Sequence, residues 1–389
     1  MFLSATISQN PRLAEYAVYL HQKGQIRPNT YVLDLDVIRD NAAKLAEKAQ
    51  KHGLNLYMMT KQIGRNPEAA KAIADSGIHK AVAVDPWEAL HLAESGIPLG
   101  NVGHLVQIPS SMVASILDHR PEVITVFSTE KAREISEAAR TRHRRQDIML
   151  KVLGKEDMVY PGQWGGFREE NLAEAVQTIK GLPGVRIAGV TAFPCLLYDG
   201  EDIVPTSNFH TLIRCARLLE DILDRPLDQI NAPSATCCAS IPLLKSLGAT
   251  HGEPGHALTG TTPLHQHAGQ PELPAMVYIS EISHRDHEVA YAYGGGYYRR
   301  SQIQQAMIGR SLDEMMNRRV SLRKLEPEAI DYTLELEVGK MPVEAGETVL
   351  LAFRTQIFVT RSEVAVVSGL QTGSPQLTGI YDSLGKQLS

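Results

Sequence analysis

Lys61 closes the run LNLYMMTK, which sets an amine at the end of an apolar, strand-like segment. Held against apolar neighbours, such an amine loses hydration and its pKa falls. The neutral form that condenses with a carbonyl to give a Schiff base then becomes accessible. A single lysine is more simply read as a solvated surface group, so position and company decide. Far along the chain, THGEPGHALTG puts Glu253 at the end of a short strand, directly before Pro254 and Gly255. Taken alone, a strand-end acid is readable as half of a salt bridge with a basic residue. Cys195, Cys215, Cys237 and Cys238 include an adjacent pair and no CxxC spacing, which argues against a disulfide framework and against a structural zinc site. They read as reduced, mostly buried thiols.

Strands must deliver these residues to one face. From residue 30 to about 260, short β-branched or apolar runs alternate with amphipathic segments rich in Ala, Glu and Lys. That is the pattern of repeated βα units around a parallel sheet. The spacing predicts strands over 54–59, 80–84, 102–107, 123–127, 147–153, 185–193, 227–232 and 250–253. Eight such units predict an α/β fold of the TIM-type (β/α)8 barrel kind, whose active site lies where the strands end. A doubly wound open sheet is the main competitor, but no GxGxxG follows the first strand. After Pro274 the texture turns to runs rich in Val, Tyr and Thr, predicting a mainly β C-terminal domain over 275–389, interrupted by one helical stretch around QIQQAMIGRSLDEMMNRRV. Residues 1–29 read as an N-terminal extension with one helix, 30–264 as the barrel, and HQHAGQPELP as the linker. The strand TYVLDLD is compatible with either domain.

The 389 residues suit a large barrel plus a second domain. With 39 Lys and Arg against 44 Asp and Glu, and no basic stripe interleaved with aromatics, nucleic acid is not expected as a partner. No apolar run approaches the roughly 20 residues of a membrane span, and the first residues lack a charged and then apolar leader, so a cytoplasmic protein is expected.

Along the chain come TYVLDLDVIRDNAAKLA, MMTKQ, KAVAVDPWEALHLAESGI, KGLPGVRIAGVTAF, INAPSA, EPGHALTG and AYGGGYYR. In that order and at that spacing they resemble the alanine racemase family. The similarity covers roughly residues 30–300. The family implies a fold-type III enzyme carrying pyridoxal 5'-phosphate (PLP) in a barrel followed by a β domain. By this resemblance Lys61 binds the cofactor as a Schiff base and serves as a base on one face of the substrate. Ser234 contacts the cofactor phosphate, which the backbone N–H groups of Gly255 and His256 cradle. A small hydroxyl with free amides at a loop or helix start suits a phosphate, although Ser234 also reads as a turn or N-cap serine. Tyr293 matches the tyrosine that acts as acid and base from the opposite face and reaches the site from a partner subunit, which implies a homodimer. Tyr291, Tyr293, Tyr297 and Tyr298 are also spaced to pave a strand face.

The departures from the family pattern bear on the reaction. The family's arginine near the cofactor's phenolic oxygen and the substrate carboxylate falls on Trp164 in GQWGGF, and its histidine at the end of a later strand is Phe193, which can stack on a pyridine ring. A phosphate-contacting tyrosine is Arg65, suited to bidentate pairing with a phosphate or substrate carboxylate, or else a solvated residue at a helix start. The family's Asp beside the second-face tyrosine is Gly295. Where racemases have Arg-Pro-Gly, this chain has Glu253-Pro254-Gly255. An arginine leaves the pyridine nitrogen unprotonated, whereas a carboxylate favours the protonated ring and so a stronger electron sink. His284, Asp286 and His287 have the element types of the metal sites in related dehydratases and aldolases, but no cysteine follows Cys238, so no metal is expected.

The expectation is therefore a PLP-dependent isomerase, an amino-acid racemase working by Cα proton abstraction between Lys61 and Tyr293. The alternatives are a fold-type III decarboxylase or D-amino-acid lyase, a non-catalytic PLP-binding protein, and a cofactor-free isomerase barrel.

Overall fold

The computed structural model describes residues 2–388 apart from Ala268, Tyr298, Gln302 and Pro327. It divides into two compact units, one of residues 43–60 and 73–255, the other of residues 1–42, 61–72 and 256–389.

The first unit holds a closed barrel of eight parallel strands. In chain order they are Asn55–Met59, Lys80–Ala83, Leu99–Val102, Val123–Val126, Gln146–Leu153, Val185–Thr191, Gln229–Asn231 and His251–Gly252. Each pairs with the next, and the first also pairs with the eighth through Leu56 and Gly252, so no edge remains. The middle strands are buried along nearly their whole length, as apolar strands covered on both faces require. Asp85, Ser128 and Thr206 start helices by accepting from the backbone N–H three residues on. Gly189 lets the sixth strand approach the seventh, for a Cβ there would lie 2.3 Å from the Gln229 carbonyl oxygen.

One strand differs from the sequence reading. The third barrel strand is Leu99–Val102, not 102–107. Gly103, at φ +86°, ends it, and the apolar run that follows becomes loop. His104 is thereby placed at the C-terminal end of the barrel.

The second unit is built on a nine-stranded sheet. Its order is Val289–Tyr293, Thr333–Glu337, Arg319–Leu322, Gln305–Gly309, Thr348–Leu351, Met276–Asp286, Thr30–Asp34, Glu363–Ser368 and Gln376–Asp382. Val289–Tyr293 pairs back onto Met276–Asp286, closing the first six strands on themselves. The strand Thr30–Asp34 lies inside this sheet, antiparallel to Met276–Asp286 and parallel to Glu363–Ser368. Two N-terminal helices, Phe2–Gln9 and Pro11–Gln22, cover the sheet with Leu13, Val18 and Leu20 against Val32, Ile279 and Leu350. The sequence reading had one. Of the stretch 302–320, read as helical, Gln302 lies outside the described residues, and the rest holds a strand, one helical turn at Leu312–Met315 and the start of another strand. Its apolar residues Ala306, Met307 and Ile308 form one continuous buried run, which serves a strand covered on both faces as well as a helix. Among the described residues no helix is long and apolar enough to cross a membrane.

Candidate active site

At the C-terminal end of the barrel, Glu253 follows the eighth strand and is 5% exposed. Its backbone N–H donates to Thr236 Oγ1 at 3.1 Å. The Asn231 side-chain amide, at the end of the seventh strand, donates to Glu253 Oε1 at 2.7 Å. Asn101, from the third strand across the barrel, donates to the same oxygen at 3.4 Å and accepts from Thr125 Oγ1 at 2.7 Å. The other carboxylate oxygen lies 3.6 Å from His104 Nε2. Two amide donors and an imidazole around one buried carboxyl group make a setting for a charged acceptor held in one orientation.

Phe193 shares this corner. Its ring meets the His104 ring edge-on at 5.4 Å and the Tyr160 ring at 5.8 Å. Burial first, and then the negative charge of Glu253, push the Cys195 thiol well above its ordinary range, which makes it a poor nucleophile. All four cysteines are buried. Ser234 has φ +91°, a conformation few non-glycine residues adopt. Its hydroxyl donates to the Leu196 carbonyl at 2.7 Å and accepts from the Leu196 N–H at 2.9 Å, tying the loops after the sixth and seventh strands together.

In the second unit, Lys61 opens the short turn Lys61–Ile63 and is buried, 9% exposed. The turn continues through Gly64 at φ +65°, where a Cβ would lie 2.9 Å from Ile357 Cγ2. Arg65 is buried with its guanidinium 5.0 Å over the Phe358 ring. His256 opens the turn His256–Thr259, with Nδ1 3.1 Å from Thr261 Oγ1. Burial lowers its pKa well below the ordinary value, and the positive charges of Arg354 and Lys61 act in the same direction, so the ring is neutral. A small cleft beside it is lined by His256, Arg300, Arg354, Thr355 and Gln356. Two guanidinium groups make that lining suited to an anion. Sequence reasoning found neither Arg300 nor Arg354, because isolated arginines in a β-rich segment form no motif.

The barrel unit thus groups Glu253 and Phe193 around His104, and the second unit brings Lys61 near His256. Tyr293 ends its strand with its side chain 45% exposed, and its carbonyl accepts from Ser280 Oγ at 2.6 Å. Trp164 is 65% exposed. Tyr298 lies outside the described residues. His284, Asp286 and His287 sit on an exposed hairpin, where the His284 ring stacks on Tyr291 at 4.6 Å. Among the described residues no cluster of three His, Cys, Asp or Glu is arranged to hold a metal ion.

Residues 33–263 match the alanine racemase N-terminal domain, and the chain belongs to that family. Residues 277–377 match the YhfX-like C-terminal domain, which marks a divergent member. The chain is 47% identical over 390 residues, the full length of both, to a protein of Escherichia coli (strain K12) called "Uncharacterized protein YhfX". Among solved structures, it is similar to alanine racemase of Clostridium difficile 630 in complex with cycloserine, at TM-score 0.65 and 16% identity, covering 92% of this chain and 99% of that one. It is also similar to D-threonine aldolase from Filomicrobium marinum, at TM-score 0.63 and 15% identity, covering 92% and 95%. These likenesses show the fold.

Proposed function

We propose that this protein is a PLP-dependent enzyme that takes a proton from Cα of an amino acid, with racemisation as its reaction. The observation that carries the reading is Glu253: a buried carboxylate at the end of the eighth barrel strand, oriented by Asn231 and Asn101 and flanked by His104 and the Phe193 ring. The residues present fit the cofactor. A buried lysine follows the first strand, the carboxylate suits a pyridine nitrogen, and a ring stands beside it. Asn231 Oδ1 is buried with no hydrogen-bond partner among the described residues, an acceptor available to a bound group. When bound, PLP supplies an electron sink for negative charge at Cα.

The chain's own residues have separate roles. Lys61 holds the cofactor and accepts the Cα proton on one face; Tyr293 gives a proton from the other, reaching the site from a partner subunit of a homodimer. Ser234 and the amides of Gly255 and His256 would hold the phosphate, and Arg65 would support the substrate end. Glu253 would favour a protonated pyridine nitrogen, and Phe193 would offer an apolar ring to the cofactor. Because a protonated ring stabilises more negative charge than racemisation needs, Glu253 supports a second reading as well, a decarboxylase or D-amino-acid lyase. Both enantiomers of each amino acid, incubated with the protein in deuterium oxide, test the reading. Deuterium at Cα with inversion is expected; carbon dioxide, ammonia or an aldehyde as product marks the second reading. A protein that takes up PLP but exchanges no Cα hydrogen is a carrier, and one that takes up none is not a PLP enzyme.

A further inference from the structure

Lys151 stands on the fifth barrel strand and is 4% exposed. It pairs in register with Thr191 on the sixth strand, which pairs with Asn231 on the seventh. Partners in neighbouring parallel strands face the same side of the sheet. Asn231 faces the lumen, since it and Asn101 from the opposite side of the barrel meet on Glu253. Lys151 therefore points to the lumen side of the barrel wall.

There its Nζ donates to the Gln163 carbonyl at 3.1 Å and lies 4.3 Å from the centre of the Phe127 ring. A carbonyl dipole and an aromatic face both favour a cation, but neither brings a full negative charge. Burial alone acts on the amine, pushing its pKa down to about 8, so among the described residues no acid is near enough to raise it. The loop above is shaped to this place. Gly165 and Gly166 have φ +126° and +131°; a Cβ on the first would lie 3.1 Å from the Phe127 ring, and one on the second 2.7 Å from the Lys151 carbonyl oxygen.

We propose that Lys151 is the seat of the substrate's α-carboxylate, a lumenal cation whose counter-ion the barrel leaves to the ligand. The assignment deepens the reading of the protein as an amino-acid enzyme and rests on it for the identity of the ligand. The Coulomb attraction of a carboxylate to an ammonium is stronger at a desolvated site than in water, and among the described residues no acid already pairs with this one.

Two measurements test it. Protein labelled with 13Cε-lysine is titrated with sodium acetate near pH 8 at constant ionic strength, the Lys151 resonance being assigned with Lys151→Met. A saturable shift of that resonance toward its protonated position is expected, and none with acetamide; a resonance that acetate leaves unmoved overturns the assignment. In the PLP-loaded protein, glycine and glycinamide are compared through the change each makes in cofactor absorbance. Glycine is expected to bind about tenfold more tightly or better, and Lys151→Met to reduce that advantage below about twofold with glycinamide unaffected. An undiminished preference for glycine in Lys151→Met overturns the assignment. A protein that takes up no PLP, yet whose Lys151 answers acetate, sinks the proposed function and supports the carboxylate seat.

Discussion

The Asn231 amide donates to Glu253 Oε1 at 2.7 Å, linking the ends of two neighbouring barrel strands through a pair of fully or almost fully buried side chains. A hydrogen bond to a charged acceptor contributes about 1.5–3 kcal/mol. Asn231→Ala is expected to lower unfolding stability by about that amount, read from the urea midpoint. Asn231→Asp sets a second acid against the first, and like charges raise a carboxyl pKa above its unfolded value. Its extra loss should be present at pH 7 and shrink as the pH falls toward the acid range. Equal losses for the two variants at pH 7 would argue that Glu253 is uncharged.

Lys61 is the position at which the family resemblance is most specific. Borohydride added to the PLP-loaded protein should fix a pyridoxyl group on the peptide that contains Lys61, and mass spectrometry locates it. A pyridoxyl group on any other lysine sinks the assignment of Lys61.

If Glu253 meets the ring nitrogen, Glu253→Arg replaces an opposite charge by a like one. Bound PLP should be retained, while the long-wavelength absorbance of a carbanion delocalised into the ring, formed with substrate, falls sharply. Equal absorbance in both forms would show that Glu253 does not act on the ring.

Tyr293→Phe should slow the exchange of one enantiomer by about 10²–10⁴-fold and leave the PLP content alone. Equal rates for both enantiomers in the variant and the parent would give the second face to another residue.

His251, on the eighth strand and 4% exposed, is held neutral: burial pushes its pKa down to about 4 from 6.5, with Glu122 opposing and Lys80 assisting. The unfolded chain therefore binds more protons than the folded one between those two values, so stability is lost as the pH falls from about 6.5 toward 4. At pH 5 the loss is on the order of 2 kcal/mol. A His251→Gln variant should show a flatter acid limb when denaturant midpoints at pH 7.5 and pH 5 are compared.

Much of the barrel was legible because apolar runs recur between amphipathic ones, and Lys61 and Glu253 were singled out because each ends such a run. His104 and Asn101 were missed for a physical reason. The strand Leu99–Val102 is short and the apolar run after Gly103 is loop, so the run carried the eye past the true strand end. Two asparagines at the ends of the third and seventh strands were the available signal, since a buried amide at a strand end asks for a partner. The segment 302–320 was misread because a short apolar run reads alike as buried strand or helix. Lys151 gave no motif, and only its register with Asn231 shows where it points.

The strand Thr30–Asp34 is buried along its whole length between two neighbours that are made much later, Met276–Asp286 and Glu363–Ser368. During synthesis it must wait, unpaired and apolar, while the entire barrel emerges. Cutting the chain at residues 265–274 would not release a self-sufficient C-terminal domain, because the excised piece would lack an interior strand of its own sheet. The two ends of the polypeptide are therefore one folding unit, and the barrel is, topologically, an insertion into it.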